Sequence, residues 1–489
     1  MLQPVSRDSG AAPRGSYDPA RHPRLSFTGA VGKFHDGSDT PRAFLERCLE
    51  AYYANEAEVC AFAHIDIDGA RRAADLSTGR YREGRPLSPV DGCPVAFKDT
   101  LETADMPTQQ NSALFAGWVG KRDAACVWAL RKEGAIILGK TQVPELALGQ
   151  PPPTRNFFDA RRTAGGSSSG SGAAVGAGMV PVAIGNQTMG SLIRPASFNA
   201  NYGFKPSWGA LNIGGMHPLA PSLDHIGPMA ATLADMWLVA QRISFVAGGH
   251  NGHPGLIGDP SLPPPVKPKR LVHLKTLGWS QIDDTTRAAF EGVKQQLLDT
   301  GVAIVDASTS NAVAELERML LPCDDIATAI CMYELRWPVA AYAQTHGAGI
   351  LGDAVRARLE IGLRMTPDDY RKALQQRDAI RRQVLEAAGD ADGFITLASS
   401  GPAPLLESVD APAHGEDGSD DGQEPSGGGA TAHLATGSRS FLSPWSMVGG
   451  PSLSLPWMAV DGMPLGLQLM GKTDTDFRLV GIARWADGA

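Results

Sequence analysis

The chain has 489 residues and a formal net charge of −8, with 44 Lys and Arg residues against 52 Asp and Glu residues. This acidic balance argues against a nucleic-acid-binding protein, which usually carries a basic face. With 43% hydrophobic and 20% charged residues, the composition also excludes a fibre, a coiled coil and a disordered chain. The length is enough for two to four domains or for one large enzyme domain.

The termini and cysteines give no sign of export or membrane insertion. The first 23 residues are polar and interrupted by prolines, without the apolar core of a secretory signal. No stretch of about 18 apolar residues is present to span a bilayer. The six cysteines are scattered singly without a C-x-x-C pair, so neither a disulfide framework nor a zinc site is expected. We therefore predict a cytoplasmic protein that binds neither nucleic acid nor membrane.

The predicted elements begin with a flexible N-terminal arm over residues 1–38. A helix is expected to start at Asp39-Thr40-Pro41, where a capping side chain precedes a proline at the first helical position. Pro94–Phe97 is a short apolar run and is typical of a buried strand.

The next elements follow the same alternation of helix and strand. Asp123 is expected to cap a helix that ends at Gly134, and the apolar run 135–138 is a second strand candidate. The stretch 229–246 is amphipathic at helical spacing, which indicates a helix facing the core.

The C-terminal half continues with a strand at 270–274, a helix at 284–300 and a strand at 302–306. Alternation of this kind favours an α/β fold with a sheet covered by helices on both faces. We predict one domain over 39–489, interrupted at about 407–433 by an acidic loop rich in Gly and Ser. Its composition cannot bury enough apolar surface to offset the entropy of ordering, so we expect a mobile loop.

The region 161–204 contains two segments in which glycine and serine stand together, 165–170 and 189–191. Glycine lets backbone N–H groups approach a reacting oxygen, but serine is a poor nucleophile unless a neighbour takes its proton. Lys98 ends an apolar run, where loss of solvent would lower its pKa and make it a base. Taken singly, these residues also fit a Gly/Ser-rich turn and a strand-end lysine that reaches water.

Together, these segments resemble the amidase signature hydrolases over residues 40–485. The matching motifs are Gly92–Asp99, Gly165–Gly172, Pro181–Ser191, Gly203–Ser207, Ser222–Pro228 and Ser443–Gly471. Ser191 follows Ser167 by 24 residues, which is the spacing of the family pattern. The resemblance implies the amidase signature fold, a large twisted mixed β-sheet covered by helices on both faces.

The resemblance also assigns roles to individual residues. It makes Ser191 the nucleophile, Lys98 the general base and Ser167 a bridging serine that follows a cis peptide bond from Gly166. The oxyanion hole would consist of the backbone N–H groups of Thr188, Met189, Gly190 and Ser191. No metal ion or organic cofactor is required by this chemistry.

Four positions depart from the family pattern. Gln187 stands where Asp is commonest, Met189 replaces the first glycine of the nucleophile motif, and Ser169 replaces another glycine. The arginine that usually lies two residues after the nucleophile lies one residue further, at Arg194. These changes affect the choice of substrate rather than the chemistry.

Aromatic side chains from two regions are candidates for the walls of the substrate pocket. They are Phe115, Trp118, Phe441 and Trp445. The alternative for all four is packing in the core.

The predicted activity is hydrolysis of a C–N bond in a small-molecule amide, anilide or carbamate (urethane), by a protein that we expect to form a homodimer. The alternatives are a hydrolase of biuret- or allophanate-type urea derivatives and the A subunit of a tRNA-dependent amidotransferase. A scaffold protein on a degenerate amidase fold is a further alternative. Residues 166–170 also satisfy the G-x-S-x-G pattern of α/β-hydrolases, with Ser168 as the nucleophile.

Overall fold

The computed structural model describes residues 14–259, 261–406 and 436–488, which build one large sheet and its surrounding helices. The strands are β1 Phe62–Ile65, β2 Pro94–Lys98, β3 Ile136–Thr141, β4 Val182–Gln187, β5 Tyr202–Lys205, β6 His225–Ala230, β7 Arg270–His273, β8 Ala303–Val305, β9 Gly393–Leu397, β10 Ser452–Val460 and β11 Met463–Met470. The α-helices are α1 Thr28–Asp36, α2 Pro41–Val59, α3 Ile67–Arg82, α4 Ala125–Lys132, α5 Ser169–Gly176, α6 Ile193–Phe198, α7 Leu233–Ala247, α8 Asp284–Asp299, α9 Asn311–Leu320, α10 Cys323–His346, α11 Asp353–Arg364, α12 Pro367–Ala388, α13 Ser443–Val448 and α14 Asp476–Ala486. Short 3₁₀ turns lie at Ala113–Phe115, Glu145–Ala147, Leu277–Gln281 and Ala348–Ile350.

The sheet is mixed, and its strand order is β1-β3-β2-β4-β6-β5-β10-β11-β9-β7-β8. Strand β2 runs parallel to both β3 and β4, whereas β4 and β6 are antiparallel. Because β2 and β4 are parallel neighbours, their carboxyl ends lie at the same edge of the sheet. The chain segments that follow these two ends are thereby brought together, as is usual for functional sites in such sheets.

Alternate residues of the central strands enter different hydrophobic clusters. Val95 and Phe97 of β2 lie in the cluster that contains residues of α4 and α7. Ala96, between them, lies in the cluster that contains residues of α2, α3 and α5. Since successive side chains of a strand point to opposite faces, helices cover both faces of the sheet, and the predicted α/β architecture is confirmed.

The start of α2 agrees with the prediction in detail. The Thr40 side chain caps the helix by accepting a hydrogen bond from the backbone N–H of Ala43, and Pro41 occupies the first helical position. The proline has no N–H to leave unsatisfied there, so it favours the helix start.

Two helices differ from the prediction at their first residues. Asp123 does not cap α4, because its carboxylate accepts hydrogen bonds from the Ala104 N–H and from Arg131. Helix α7 begins at Leu233 rather than at 229, because the preceding residues complete β6 and Thr232 supplies the cap.

The structure also differs from the expected N-terminal arm from residue 14 onward. Phe27 and Phe34 are buried in the main cluster, and Phe27 packs against Phe44. The backbone N–H groups of Phe27 and Thr28 donate to the buried carboxylate of Asp235. Helix α1 is thus held by aromatic burial and by a carboxylate that lies more than 200 residues away in the chain.

The remaining parts of the predicted domain organisation stay predictions. Residues 1–13 and the acidic loop expected at about 407–433 lie outside the described residues. Within the described ranges, no helix has the length and apolar character needed to cross a bilayer.

Candidate active site

Lys98 and Ser167 form a direct contact in the interior. Lys98 is the last residue of β2 and is fully buried. Its Nζ donates a hydrogen bond of 2.7 Å to the Oγ of Ser167, whose side chain is 6% exposed. A lysine and a serine that are 69 residues apart are therefore paired in a site almost closed to solvent.

The segment before Ser167 is held by a buried arginine. The Gly166–Ser167 peptide bond is cis, as the resemblance implied. Arg194 donates to the carbonyl oxygen of Gly166 at 2.6 Å and to the carbonyl oxygen of Gly437 at 2.8 Å. Since Arg194 lies on α6, directly after the nucleophile motif, it connects the two serine segments.

Helix α5 packs so closely that it needs glycine. A Cβ at Gly170 would lie 2.1 Å from the carbonyl oxygen of Ala61 and 2.4 Å from the backbone nitrogen of Gln142. A Cβ at Gly172 would lie 2.9 Å from the carbonyl oxygen of Pro195. The small residues of this segment therefore bring the N-terminal end of α5, and Ser167 with it, close to the sheet and to α6.

Ser191 lies in the loop between β4 and α6, in an otherwise buried region. Its flanking residues Gly190 and Leu192 are buried, whereas Ser191 itself is partly exposed. Its carbonyl oxygen accepts a hydrogen bond of 3.2 Å from the N–H of Ser168. This backbone contact holds the two serine segments side by side, although no hydrogen bond to the Ser191 hydroxyl occurs among the described residues.

The loop of Ser191 offers a row of unpaired backbone donors. Within the part of the chain that the structure describes, no protein acceptor is bonded to the N–H groups of Thr188, Met189, Gly190 and Ser191. A hydrogen-bond donor that is left free near a reactive hydroxyl is available to an oxyanion. The structure therefore places the four predicted donors where their N–H groups are free.

Gln187, which replaces the usual Asp, holds this loop together. Its Oε1 accepts hydrogen bonds of 3.0 Å from the N–H groups of Leu192 and Ile193. Its Nε2 donates to the Oγ of Ser446 at 2.8 Å. A carboxylate could accept the first two bonds but could not donate the third, so the amide also ties the loop to α13.

Asp224 supports the same loop from the opposite side. Its Oδ1 accepts a 2.6 Å hydrogen bond from the Thr188 hydroxyl, and its Oδ2 accepts from the N–H groups of Leu219 and Ala220. Burial raises the pKa of Asp224 to about 6, against the effect of these hydrogen bonds. The Ser222–Pro228 motif thus contributes a carboxylate that orients Thr188.

Met189 is held by a charged pair from two distant segments. Arg439 places its Nη1 3.6 Å from the sulfur of Met189 and forms an ion pair with Asp324, with Nε 2.7 Å from Oδ1. The Ser443 hydroxyl also donates to Asp324, at 2.6 Å. The side chain that replaces a glycine therefore has a defined position next to the predicted oxyanion donors.

The charge state of Lys98 follows from its surroundings. Burial lowers the pKa of Lys98 well below the usual lysine value, and the nearby positive charge of Arg194 acts in the same direction. Asp224 opposes this effect with its negative charge. A neutral amine that contacts a serine hydroxyl can accept its proton.

The four aromatic candidates fall into two groups. Phe115 is half-buried and Trp118 is 51% exposed, so both reach solvent-accessible surface. Phe441 and Trp445 are each only 1% exposed, and the Trp445 indole donates to the carbonyl oxygen of Gly471. For this second pair the structure favours the alternative, which is packing in the core.

Sequence reasoning missed several residues that the fold brings to this region. Asp224 belonged to a recognised motif, but its link to Thr188 could not be read from spacing. Nothing in the sequence marked Arg439, and nothing connected His217 with Tyr342, whose side chains lie 2.9 Å apart.

The α/β-hydrolase alternative does not fit the structure. Ser168 is fully buried, and its hydroxyl donates to the carbonyl oxygen of Asn186. That fold requires a strand immediately before the nucleophile. The segment before Ser168 contains no strand among the described residues but only isolated bridges, from Arg155 to Thr163 and from Arg162 to Leu405.

Comparisons with known proteins agree with this geometry. The sequence model of the Amidase family matches residues 43–480. The A subunit of the glutamyl-tRNA(Gln) amidotransferase of Salinispora arenicola is 29% identical, over 95% of this chain and 97% of that protein. Its counterpart from Symbiobacterium thermophilum is 31% identical, over 90% of this chain and 91% of that protein.

Solved structures are similar over almost the whole chain. A crystal structure of an amidase is 28% identical with a TM-score of 0.78, and the match covers 94% of this chain and 98% of that one. The peptide amidase of Stenotrophomonas maltophilia shares the fold at 24% identity and a TM-score of 0.74, over 96% and 97% of the two chains. From these matches and from the Lys98–Ser167 site, the chain belongs to the amidase family and is a hydrolase that acts on carbon–nitrogen bonds.

Proposed function

We propose that this enzyme cleaves the C–N bond of a small-molecule amide, anilide or carbamate through an acyl ester on Ser191. The observation that carries the proposal is the 2.7 Å hydrogen bond between the buried amine of Lys98 and the hydroxyl of Ser167. No carboxylate contacts Lys98 among the described residues, so no ion pair holds its proton, and the adjacent hydroxyl gives it a group from which to take one.

In the first half of the reaction, neutral Lys98 takes the proton of Ser167 as Ser167 takes that of Ser191. The Ser191 oxygen attacks the carbonyl carbon, and the N–H groups of residues 188–191 stabilise the oxyanion. Each such donor contributes about 3–4 kcal/mol in known acyl-transfer sites. Ser167 then protonates the leaving nitrogen as Lys98 returns its proton to Ser167, the C–N bond breaks, and the acyl group remains on Ser191.

In the second half, a water molecule replaces the leaving amine. It loses its proton through Ser167 to Lys98 as its oxygen attacks the ester carbonyl. The C–O bond to Ser191 breaks, Ser191 recovers a proton from Lys98 through Ser167, and the acid product leaves. With a carbamate, the product of this step would be a carbonate half-ester or a carbamic acid, depending on which bond is cleaved first.

The apolar surface that includes Met189, two residues before Ser191, supports an uncharged substrate. Leu114, Phe115 and Met189 are half-buried and pack against one apolar cluster that includes Leu219 and Leu351. An isolated charge would lose its hydration against such a surface. We therefore favour a neutral, moderately apolar amide or carbamate.

The test is product release from a panel of substrates by the wild type and Ser191→Ala. The panel contains a primary amide, an anilide, an aryl carbamate, biuret and a nitrophenyl ester, with released amine or ammonia measured for the first four and nitrophenol for the ester. We expect Ser191→Ala to lower turnover by at least about 10⁴-fold, since removal of a nucleophile leaves only binding and oxyanion stabilisation.

Ser168→Ala is the matched control, because Ser168 is buried and bonded to a backbone carbonyl. It should retain turnover of the preferred substrate. Turnover that survives in pure Ser191→Ala, or is lost only in Ser168→Ala, would contradict the proposal. Preference for biuret would assign the enzyme to the urea-derivative hydrolases instead.

A second candidate is the A subunit of a tRNA-dependent amidotransferase. It is favoured by relatives of that name that match nine-tenths or more of this chain at 29–31% identity. This role predicts glutamine hydrolysis that depends on partner subunits. Ammonia release from glutamine only after addition of such subunits, with no turnover of the panel by the isolated chain, would favour it.

A further inference from the structure

Three aromatic rings, those of Phe115, His217 and Tyr342, form a half-buried cluster. Phe115 meets the rings of His217 and Tyr342 edge-on, with centroids 5.9 and 5.5 Å away. The Nε2 of His217 and the phenol oxygen of Tyr342 are 2.9 Å apart and share a hydrogen bond. All three side chains retain some solvent-accessible surface, so they are not sealed in the core.

The position of His217 is fixed from both sides by the catalytic segments. Its backbone N–H donates to the carbonyl oxygen of Thr100, two residues after Lys98, at 2.8 Å. Two residues beyond His217, the N–H of Leu219 donates to Asp224, which holds Thr188. Because consecutive Cα atoms are about 3.8 Å apart, these links keep His217 within a few residue lengths of both segments.

The number of hydrogen bonds that His217 and Tyr342 can donate follows from both groups being uncharged. Burial lowers the pKa of His217 to about 4 and raises the pKa of Tyr342, so both groups are uncharged at neutral pH. The pair then holds one N–H and one O–H hydrogen, and their mutual bond uses one of the two. Either imidazole tautomer leaves one donor unused, on Nδ1 of His217 or on the Tyr342 hydroxyl.

We infer that the His217–Tyr342 pair determines specificity by donating a hydrogen bond to a second, uncharged acceptor on the substrate. This inference rests on the proposed function. The acceptor would be a carbonyl or ether oxygen separate from the scissile carbonyl group, and the adjacent chain of the substrate would lie against the edge of Phe115.

The surroundings of the pair make an uncharged acceptor the best match. Phe115 packs edge-on against both side chains, and the described hydrogen bonds and ion pairs of His217 and Tyr342 include no charged group. A carbonyl oxygen that leaves water loses hydrogen bonds, and one neutral donor next to an apolar side chain can replace them. The same donor cannot replace the hydration of a carboxylate. The substrate class is therefore an amide or carbamate that carries an additional carbonyl or ether oxygen.

The experiment scans the acceptor position along matched substrates. One series places the second oxygen on the acyl side and consists of N-butyl heptanamide and its 4-, 5- and 6-oxo derivatives. The other places it on the amine side and consists of N-heptyl butanamide and derivatives with one oxo group on the heptyl chain. Released amine is measured for the wild type, Tyr342→Phe and His217→Phe. In the wild type we expect one oxo position to raise kcat/KM by up to about tenfold over the plain amide, as one hydrogen bond allows.

The double variant Tyr342→Phe/His217→Phe removes both possible donors. It should abolish this preference while leaving the plain amide within about twofold of wild type, since the plain amide has no second acceptor to lose; the single variants show which group donates. Tyr333→Phe is the matched control, because Tyr333 lies on the same helix but stacks on Tyr370. It should keep the preference, and thermal unfolding shows whether each variant is folded. No oxo preference in the wild type, or a preference that survives in the double variant, would overturn the inference.

The outcomes separate this inference from the proposed function. If the wild type hydrolyses the plain amides in a Ser191-dependent way, the proposed function stands whatever the pair does. An equal loss on every substrate in folded Tyr342→Phe would indicate a structural role and overturn the specificity role. If the wild type hydrolyses no member of either series or of the substrate panel, the proposed function fails and the inference fails with it.

Discussion

Lys98 and Lys140 lie on neighbouring parallel strands, and both are fully buried, yet they have different partners. The Nζ of Lys140 lies 3.2 Å from the Oδ1 of Asp99 and donates to the Thr108 hydroxyl at 2.5 Å. The Nζ of Lys98 contacts the hydroxyl of Ser167 instead, and its carboxylate neighbour, Asp224, is bonded to other groups.

The difference shows that the partner of a buried lysine, rather than burial, decides what it can do. Burial lowers the pKa of both side chains, but Asp99 opposes this effect at Lys140 through a direct contact. At Lys98 the pKa falls well below the usual range, because only the more distant charge of Asp224 opposes burial. One sheet thus holds a lysine in an ion pair and a lysine suited to be a base.

The largest expected effect is on activity. Lys98→Met should lower kcat by about 10³- to 10⁴-fold, because a methionine fills the site but cannot accept a proton. Lys140→Met should retain kcat within about tenfold, since Lys140 does not contact Ser167. The measurement is steady-state turnover of the preferred substrate, normalised to the folded fraction of each variant.

Equal losses of kcat in the two variants would contradict the distinction between them. Ser167→Ala completes the comparison, because it removes the hydroxyl partner of Lys98 and should reproduce most of the loss. A Ser167→Ala enzyme as active as wild type would exclude Ser167 as the proton bridge.

The free energy of unfolding should fall more in Lys140→Met than in Lys98→Met, which is the opposite order to the effect on kcat. Lys140→Met leaves the buried carboxylate of Asp99 without its ion-pair partner and should lower the free energy of unfolding by about 3–5 kcal/mol. Lys98→Met removes a buried amine that has no carboxylate contact, so its free energy of unfolding should equal or exceed that of wild type. Urea unfolding followed by circular dichroism measures both values.

The double variant Lys140→Met/Asp99→Asn serves as the control for this prediction. It removes both charges and should recover part of the lost stability, because no uncompensated charge remains. If Lys98→Met is less stable than Lys140→Met, the assignment of the two lysines is wrong.

The smallest expected effect is on pH dependence. A lysine with a lowered pKa is neutral above that pKa, so kcat/KM should fall about tenfold per pH unit below it and level off above it. For the same reason Lys98 binds its proton more weakly in the folded protein than in the unfolded one. Its contribution to stability therefore rises with pH between the lowered pKa and the usual value of 10.5.

Asp224→Asn tests the sign of this pH effect. Above a pH of about 6 the Asp224 carboxylate is ionised and favours the charged form of Lys98, so its removal should lower the pKa of Lys98 further. The acid limb of the kcat/KM profile should then move to lower pH. A shift to higher pH, or a flat profile in the wild type, would contradict a neutral Lys98 base.

Local sequence signals predicted the secondary structure well where the neighbouring residues decide it. The Thr40 cap and Pro41 define the start of α2, and the apolar run from Pro94 defines β2. The prediction was wrong where a distant group competes. Asp123 binds Ala104 and Arg131 rather than capping α4, and α1 is packed through contacts with Phe44 and Asp235.

In the candidate site, too, the sequence predicted some residues and only the structure located others. Motif spacing identified Lys98, Ser167 and Ser191 through a family resemblance, and the structure brings Lys98 and Ser167 into contact. Aromatic composition could not separate Phe115, which is half-buried, from Phe441, which is in the core. Burial of a side chain depends on what packs against it, and this information is not local.

The sequence by itself predicted the start of α2, the strand β2 and an alternation of helices and strands, and its motifs indicated membership of the amidase family. Only the tertiary structure decided which lysine meets a serine and which meets a carboxylate. It also joined Thr188 to Asp224 and His217 to Tyr342, pairs that are 36 and 125 residues apart. The physical reason is that pKa and hydrogen bonding respond to desolvation and to charges within a few ångströms, and these distances exist only after the chain has folded.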